Sequence, residues 1–165
     1  MNDIANKEEV GVMVAQVSNE PLPQILIIED NFDHLELLGH YLNRYRVNVR
    51  VAQSGWEGWA IVQEEQIDLL ILDYTLPDLD GLAFLKKLRL HAWQRPVVMM
   101  TTIAERWLTD EICRHGANHF VQKTITGGFL QQVGEIVARE LRLQPRQELP
   151  VPFRGPAIAG RLHQA

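Results

Sequence analysis

The chain has 165 residues, of which 46% are hydrophobic and 22% charged, a composition typical of a soluble globular protein and not of a disordered one. Its formal net charge of -5 gives no bulk electrostatic reason to expect nucleic acid or an anionic membrane as a partner. The single cysteine, Cys113, cannot form an intramolecular disulfide, which fits a reducing compartment. The apolar stretch 10–17 is too short to span a bilayer and lacks a basic flank. We therefore expect a cytoplasmic protein that binds neither nucleic acid nor a membrane.

The distribution of prolines and of periodic apolar patterns divides the chain into three segments. Residues 1–21 carry no sustained periodicity, which predicts a mobile N-terminal arm, or a short helix where it docks against another surface. The tail, 144–165, is rich in proline and too short for a second domain, since about 40 residues is the usual lower limit for unaided folding. Residues 22–143 are therefore predicted to form the single domain.

This central segment alternates between short apolar runs and stretches whose apolar residues recur at helical spacing. Ser54 is placed to cap the second helix, and Gly116 to end the fourth. In chain order the pattern predicts strand 25–28, helix 32–44, strand 47–51, helix 54–65, strand 69–72, helix 82–90, strand 96–100, helix 105–115, strand 117–121 and helix 128–143.

Three of the five predicted strands, the first, third and fourth, are continuous apolar runs and do not alternate. Such runs are typical of parallel strands whose two faces are both covered by helices. The predicted fold is therefore α/β, a parallel sheet of five strands with five helices. In an open sheet of this kind, ligands bind beyond the carboxyl ends of the strands.

Polar residues close four of the predicted strands at that edge. Glu29 and Asp30 follow the first strand, Asp73 the third, Thr101 the fourth, and Lys123 comes shortly after the fifth. Each alone would usually be a solvated loop residue, but five of compatible chemistry favour a site. The three carboxylates and one ammonium leave a formal charge of -2, which a divalent cation would cancel. Mg²⁺ is a hard cation that takes oxygen ligands, so the sequence predicts a magnesium site here.

The same residues carry a resemblance to a known family. The stretch 73–81, Asp-Tyr-Thr-Leu-Pro-Asp-Leu-Asp-Gly, resembles the phosphoacceptor loop of response-regulator receiver domains. The pair 29–30 resembles the family's acidic pair after its first strand. Thr101 stands where the family keeps its switch hydroxyl, Lys123 where it keeps its lysine, and Phe120 where it keeps the aromatic residue that changes rotamer on activation.

Over residues 22–143 the resemblance implies a doubly wound, flavodoxin-like sheet with strand order 2-1-3-4-5. It implies that Asp73 accepts a phosphoryl group from a phosphohistidine on a sensor histidine kinase or phosphotransfer protein. It also implies that Mg²⁺ is held by Asp30, Asp73 and the backbone carbonyl of Thr75, with Glu29 acting through a bound water.

The resemblance further implies how the signal is read. Lys123 would pair with one phosphoryl oxygen, and Thr101 would hydrogen-bond another, which lets Phe120 turn inward. The output would be contacts with a downstream protein through the face formed by the fourth helix, fifth strand and fifth helix, where Trp107 is a candidate anchor. A homodimer is also open. The expected chemistry is self-catalysed phosphorylation and slow self-dephosphorylation, not an enzyme activity on other molecules.

Two departures from the family leave alternatives open. Thr124 stands where the family usually has proline after a cis bond, and Thr102 where many members have alanine. A cis bond before a non-proline residue costs about 2.5–4 kcal/mol, so we predict a trans bond before Thr124. One alternative is a degenerate receiver that binds proteins without phosphate. A hydrolase of the aspartyl-phosphate type is disfavoured, because the stretch 73–75 lacks the second carboxylate such enzymes use as general acid.

Overall fold

The computed structural model describes residues 21–103, 105–124 and 127–145. The predicted arm, 1–21, and tail, 144–165, thus lie outside the described residues except at their inner ends. The strands are β1 (Gln24–Ile28), β2 (Asn48–Ala52), β3 (Leu69–Asp73), β4 (Val97–Thr101) and β5 (His119–Gln122), and the helices are α1 (Phe32–Leu42), α2 (Gly55–Glu64), α3 (Gly81–Leu90), α4 (Arg106–Arg114) and α5 (Gly128–Glu140).

The five strands form one parallel sheet in the order β2-β1-β3-β4-β5, as predicted. The register aligns the carboxyl ends of the three inner strands. Ile28 at the end of β1 pairs with Leu72, and Asp73 at the end of β3 pairs with Met100. The residues that follow β1 and those that end β3 and β4 are therefore neighbours across the sheet edge.

The sheet separates two apolar layers. Side chains of a strand point alternately to opposite faces, so Ile25 and Ile27 pack in the layer with α1 and α5. Leu26 and Ile28 pack in the layer with α2, α3 and α4. Every residue of β3 and β4 is buried, which explains why these strands read as continuous apolar runs. The edge strand β2 instead alternates between exposed and partly buried positions over its first four residues.

The order of elements is as predicted, and the boundaries are corrected by one to three residues. Asp73 and Thr101 are the last residues of their strands and not the first residues after them. β5 begins at His119, two residues later than predicted, because the N–H of Ala117 still bonds to the carbonyl of Ile112 in the preceding helix. Gly116 ends that helix with a φ of 95°, as predicted.

The last helix ends at Glu140 and not at 143. The cause is Arg142, whose φ of 53° lies in the left-handed region. That turn brings the N–H of Leu143 to 2.8 Å from the carbonyl oxygen of Ala138, which closes the helix. Apolar periodicity continues past this point in the sequence, so it overestimated the length of the helix.

Arg89, near the end of α3, fastens the amino-terminal edge of the sheet. Its Nη2 lies 2.6 Å from the carbonyl oxygen of Gly116 and 3.1 Å from Oδ1 of Asn118, just before β5. Its Nη1 lies 2.6 Å from the carbonyl oxygen of Trp93, before β4. Oδ1 of Asn118 also accepts the N–H of Val97, the first residue of β4, at 2.9 Å. One guanidinium therefore joins the starts of β4 and β5.

We expect Arg89→Lys to lower the free energy of unfolding by about 1–3 kcal/mol, because one ammonium cannot reach acceptors spread around a planar fork. Denaturant unfolding measures this change. Arg106→Lys is the matched control, since Arg106 is exposed at the start of α4; we expect it to change stability by less than about 0.5 kcal/mol. Equal stability of the two variants would contradict the role given to Arg89.

Candidate functional site

The polar residues at the carboxyl ends of the strands converge as predicted. Asp73 ends β3 and is 3% exposed, Thr101 ends β4 and is buried, and Glu29 follows β1 and is buried. Asp30 is exposed beside them. Glu29, Asp30 and Asp73 each offer a carboxylate oxygen within 4.8 Å of the others. The sheet thus gathers three acidic side chains at one point of its edge.

The backbone around these residues is held by hydrogen bonds that extend the sheet. The N–H of Glu29 donates to the carbonyl of Ala52 at 3.0 Å, and the N–H of Tyr74 donates to the carbonyl of Met100 at 2.8 Å. The carboxylates therefore start from backbone positions that the sheet sets. Glu29 and Asp73 are buried because the strands that position them lie in the interior, and not because carboxylate side chains favour burial.

Lys123 bridges two of the carboxylates. Its Nζ lies 2.8 Å from Oδ2 of Asp73 and 3.0 Å from Oε2 of Glu29, and its side chain is almost fully buried. Its backbone N–H donates to the carbonyl of Thr101 at 2.8 Å. The described residues contain no cis peptide bond, so the bond between Lys123 and Thr124 is trans, as predicted. The lysine reaches both acidic groups with the trans geometry.

The charges in this cluster act directly on Asp73. Burial and the charge of Glu29 raise the pKa of Asp73 to about 6, from an ordinary value of 3.8. The hydrogen bond and charge of Lys123 work in the opposite direction, and the backbone N–H of Thr75 adds a smaller lowering effect. One ammonium therefore only partly offsets two buried carboxylates.

A second oxygen of Asp73 is available to a ligand. Among the described residues, Oδ1 of Asp73 is buried and has no hydrogen-bond partner. An unpartnered buried carboxylate oxygen is costly unless a cation or donor meets it. Glu29 and Asp30 bring further carboxylate oxygens to the same place, the donor type that Mg²⁺ prefers. The residues present thus fit a hard divalent cation.

The two predicted switch residues lie on the neighbouring strands β4 and β5. The buried Oγ1 of Thr101 accepts a hydrogen bond from the N–H of Ile103 at 3.1 Å, so it is engaged with its own loop. Phe120 is partly buried and packs against the layer of α2, α3 and α4. The switching roles of both residues stay predictions.

His34, in the first turn of α1, also contacts the site, although the sequence analysis did not single it out. Its Nδ1 lies 3.2 Å from Oε1 of Glu29, and its ring meets that of Phe129 edge-on. Asn31 caps the helix α1 through the N–H of His34, at 3.0 Å, which sets the start of the helix. The capping residue was a readable signal for the helix start, but the contact with Glu29 was not.

Three of the four tryptophans lie on α2 and α4. Nζ of Lys87 lies 4.3 Å from the ring centroid of Trp56 and 4.0 Å from that of Trp59, so the lysine contacts both aromatic faces. Trp107, on α4, is 63% exposed. Packing therefore accounts for Trp59, while Trp107 leaves a large apolar surface open.

Among the helices of the described residues, none has the length and apolarity needed to cross a bilayer.

Comparison with known proteins agrees with this arrangement. The family model for the response regulator receiver domain matches residues 25–133. The transcriptional regulatory protein SrrA of Staphylococcus aureus (strain NCTC 8325 / PS 47) is 32% identical over 100 residues, which cover 61% of this chain and 41% of SrrA. The matched region thus spans less than half the length of that relative.

Solved structures have the same architecture. A two-component response regulator from Clostridium difficile is 26% identical with a TM-score of 0.67, covering 73% of this chain and 96% of the other. The phosphorylated cyanobacterial phytochrome response regulator RcpA is 22% identical with a TM-score of 0.69, covering 73% of this chain and 95% of RcpA. At that identity the second likeness shows the fold alone.

Proposed function

The chain belongs to the response regulator receiver domain family, and we propose that it accepts a phosphoryl group on Asp73 in a magnesium-dependent phosphorelay. The observation that supports this most directly is that the two oxygens of the Asp73 carboxylate have different surroundings. One oxygen is held by Lys123, and the other is buried beside Glu29 and Asp30 with no hydrogen-bond partner in the part of the chain that the structure describes. A carboxylate held in this way can receive both a metal ion and a phosphoryl group.

The chemistry follows from these charges. The carboxylate of Asp73 attacks the phosphorus of a phosphohistidine; an oxygen–phosphorus bond forms, the nitrogen–phosphorus bond breaks, and the imidazole leaves. Phosphoryl transfer depends mainly on positioning and on neutralising the transferring group. Mg²⁺, held by Asp30, Asp73 and the Thr75 carbonyl with Glu29 nearby, would supply that neutralisation when bound. Lys123 supplies a second positive charge and orients the attacking carboxylate.

The charge state of Asp73 suits this role. With a pKa of about 6 the group is mostly ionised at neutral pH, although its neighbours disfavour the charge. Formation of the acyl phosphate replaces the carboxylate with a phosphoryl group of about two negative charges. Thr101 would then release the N–H of Ile103 and donate its hydroxyl to a phosphoryl oxygen, which opens space for Phe120 to turn inward.

Membership of the family implies interaction with a histidine kinase or phosphotransfer protein. We further propose that the output is protein contact through α4, β5 and α5, a face on which the exposed Trp107 offers an anchor. The receiver would act in the cytoplasm, with no enzyme activity beyond its own phosphorylation and slow dephosphorylation. It would form homodimers, if any, through this same face.

The test is the mass of the intact protein after incubation with Mg²⁺ and a small phosphodonor such as acetyl phosphate. We expect one added phosphoryl group, absent in Asp73→Asn and absent when EDTA removes the metal. Asp110→Asn, which changes an exposed carboxylate on α4, is the matched control and should be labelled like the original chain. A label retained in Asp73→Asn would exclude Asp73 as the acceptor. No label from either the small donor or a kinase would favour the degenerate receiver.

A further inference from the structure

Asp78 joins the loop between β3 and α3, residues 74–80, to the start of α2. Its Oδ1 accepts the N–H of Gly55 at 2.8 Å, and its Oδ2 accepts the N–H of Trp56 at 2.9 Å. The same Oδ1 accepts the N–H of Leu79 at 2.9 Å, which orients the carboxylate. We call residues 74–80 the phosphoacceptor loop. Its tip is thus bonded to a helix that lies more than twenty residues earlier in the chain.

The two ends of the phosphoacceptor loop are held by other contacts. At its start, the N–H of Tyr74 donates to Met100 in β4. At its end, the N–H of Gly81 donates to the carbonyl of Tyr74 at 2.7 Å, which closes the loop on itself. Asp80 only caps its own helix, by accepting the N–H of Ala83 at 2.8 Å. Asp78 therefore supplies the hydrogen bonds that fix the tip.

Helix α2 has a local cap of its own. Oγ of Ser54 accepts the N–H of Glu57 at 3.2 Å, and Oε2 of Glu57 accepts the N–H of Gln53 at 2.7 Å. This reciprocal pattern stabilises a helix start from within. The N–H groups of Gly55 and Trp56, which donate to Asp78, lie at a helix terminus, where water could accept their hydrogen bonds instead. The bonds to Asp78 are therefore more valuable to the loop than to the helix.

The loop tip also packs closely on the helix. A Cβ atom added at Gly55 would lie 2.9 Å from Cβ of Leu79 and 3.2 Å from its carbonyl oxygen. Only a residue without a side chain allows this approach. Between the tip and the strand lie Thr75 and Leu76, and the Leu76 side chain is buried in the layer of α2, α3 and α4. The backbone at Thr75 is thus bounded on both sides by fixed residues.

We propose that Asp78 is a positioning residue for phosphorylation: by tying the tip of the phosphoacceptor loop to α2, it holds the Thr75 carbonyl where the metal ion binds. This rests on the proposed function. The carboxylate of Asp78 bonds to α2 and to Leu79, so it would act through the loop and not as a ligand of the metal. Its loss would let the loop move, so the carbonyl would be offered to the metal only part of the time. Residues that orient metal ligands typically change metal affinity by about 10–100-fold when mutated.

The test measures Mg²⁺ binding to the full chain by titration calorimetry with the metal alone, without a phosphodonor. We expect Asp78→Ala to raise the Kd for Mg²⁺ by about 10-fold, the low end of the range for residues that orient metal ligands. Asp78→Asn keeps one acceptor oxygen and should recover part of the affinity. The phosphorylation rate of Asp78→Ala should approach that of the original chain at saturating Mg²⁺, because the acceptor and Lys123 are untouched.

Ser54→Ala is the matched control, since it removes a hydrogen bond from the same helix start without touching the phosphoacceptor loop. We expect its Kd for Mg²⁺ to stay within about twofold of the original chain, because the loop keeps its tie to α2. Two results would overturn the positioning role: an unchanged Kd in both Asp78 variants, or an equal rise in Ser54→Ala. If the original chain neither binds Mg²⁺ nor becomes phosphorylated, the proposed function itself is wrong and this inference falls with it.

Discussion

We expect Lys123→Met to lower the free energy of unfolding by about 3–5 kcal/mol at about pH 8 in EDTA, the range for breaking a buried ion pair by removing one partner. The lysine Nζ lies within 3.0 Å of oxygens of both Asp73 and Glu29. Without it two buried carboxylates face each other with no cation. Methionine fills much of the same volume, so the loss reports charge more than packing. Urea unfolding monitored by circular dichroism measures the change.

The deficit should depend on pH in a defined direction. The folded-state pKa of Asp73, about 6, lies above its ordinary 3.8, so protonation of this group favours the folded state. Its stabilising contribution is complete below about pH 4 and is lost as the pH rises through about 6. Removing Lys123 takes away an influence that lowers this pKa, so the penalty at high pH grows. We therefore expect the deficit to shrink at about pH 5.

Two further variants separate charge from packing. Adding Asp73→Asn to Lys123→Met should recover most of the lost stability at high pH, because only one buried carboxylate remains. Lys86→Met changes a partly exposed lysine whose Nζ lies 3.9 Å from Oε1 of Glu111, and we expect a loss of about 0.5 kcal/mol or less. A deficit of the same size at both pH values would mean that the lysine acts by packing and not by neutralising the site.

The second large effect is expected at Gly81, the first residue of α3. A Cβ added there would collide with the carbonyl oxygen of Asp73 and lie 2.8 Å from Cα of Tyr74. Both are backbone atoms, so the clash can be relieved only by moving the end of β3 or the start of α3. We expect Gly81→Ala to lower the free energy of unfolding by about 3 kcal/mol, the upper part of the range for overpacking. Phosphorylation with a small donor should slow as well, because the Asp73 backbone is displaced.

Gly58→Ala, within α2, is the matched control. The three atoms nearest to its added Cβ all belong to the side chain of Ile28, with Cγ1 at 2.8 Å and Cδ1 nearest. The buried side chain of Ile28 must shift, but a side chain shifts more readily than the backbone, and alanine is favoured over glycine in a helix interior by about 1 kcal/mol. We therefore expect a clearly smaller loss and normal labelling of Asp73. If Gly81→Ala were as stable and as readily phosphorylated as Gly58→Ala, the close approach of α3 to the acceptor would carry no cost.

The sequence predicted the sheet and the polar cluster because both depend on local patterns. Continuous apolar runs mark strands buried on two faces, and parallel strands bring their carboxyl ends to one edge. The residues that close β1, β3 and β4 therefore had to meet, whatever the details of the helices. Lys123 could be added because it directly follows Gln122, the last residue of β5, and so lies at the same edge of the sheet.

The contacts that the sequence did not predict join residues far apart in the chain. Asp78 looks like an ordinary turn residue, and its bonds to Gly55 and Trp56 follow only once α2 and the phosphoacceptor loop are packed together. His34 likewise meets Glu29 only through the position of α1. The end of α5 was missed for a different reason. Arg142 adopts the left-handed backbone conformation, which residues other than glycine rarely adopt, so nothing in the sequence indicated it there.

The Arg89 contacts also affect how a structural change at the carboxyl-terminal edge of the sheet can spread through the domain. Because one guanidinium joins the starts of β4 and β5, these strands cannot slide past each other at the amino-terminal edge of the sheet. Displacements of Thr101 or Lys123 at the opposite edge must then be taken up by side-chain rotation and by the segments that follow each strand. Movement of the domain would then be largest on the surface next to Asp73 and smallest at the edge that Arg89 holds.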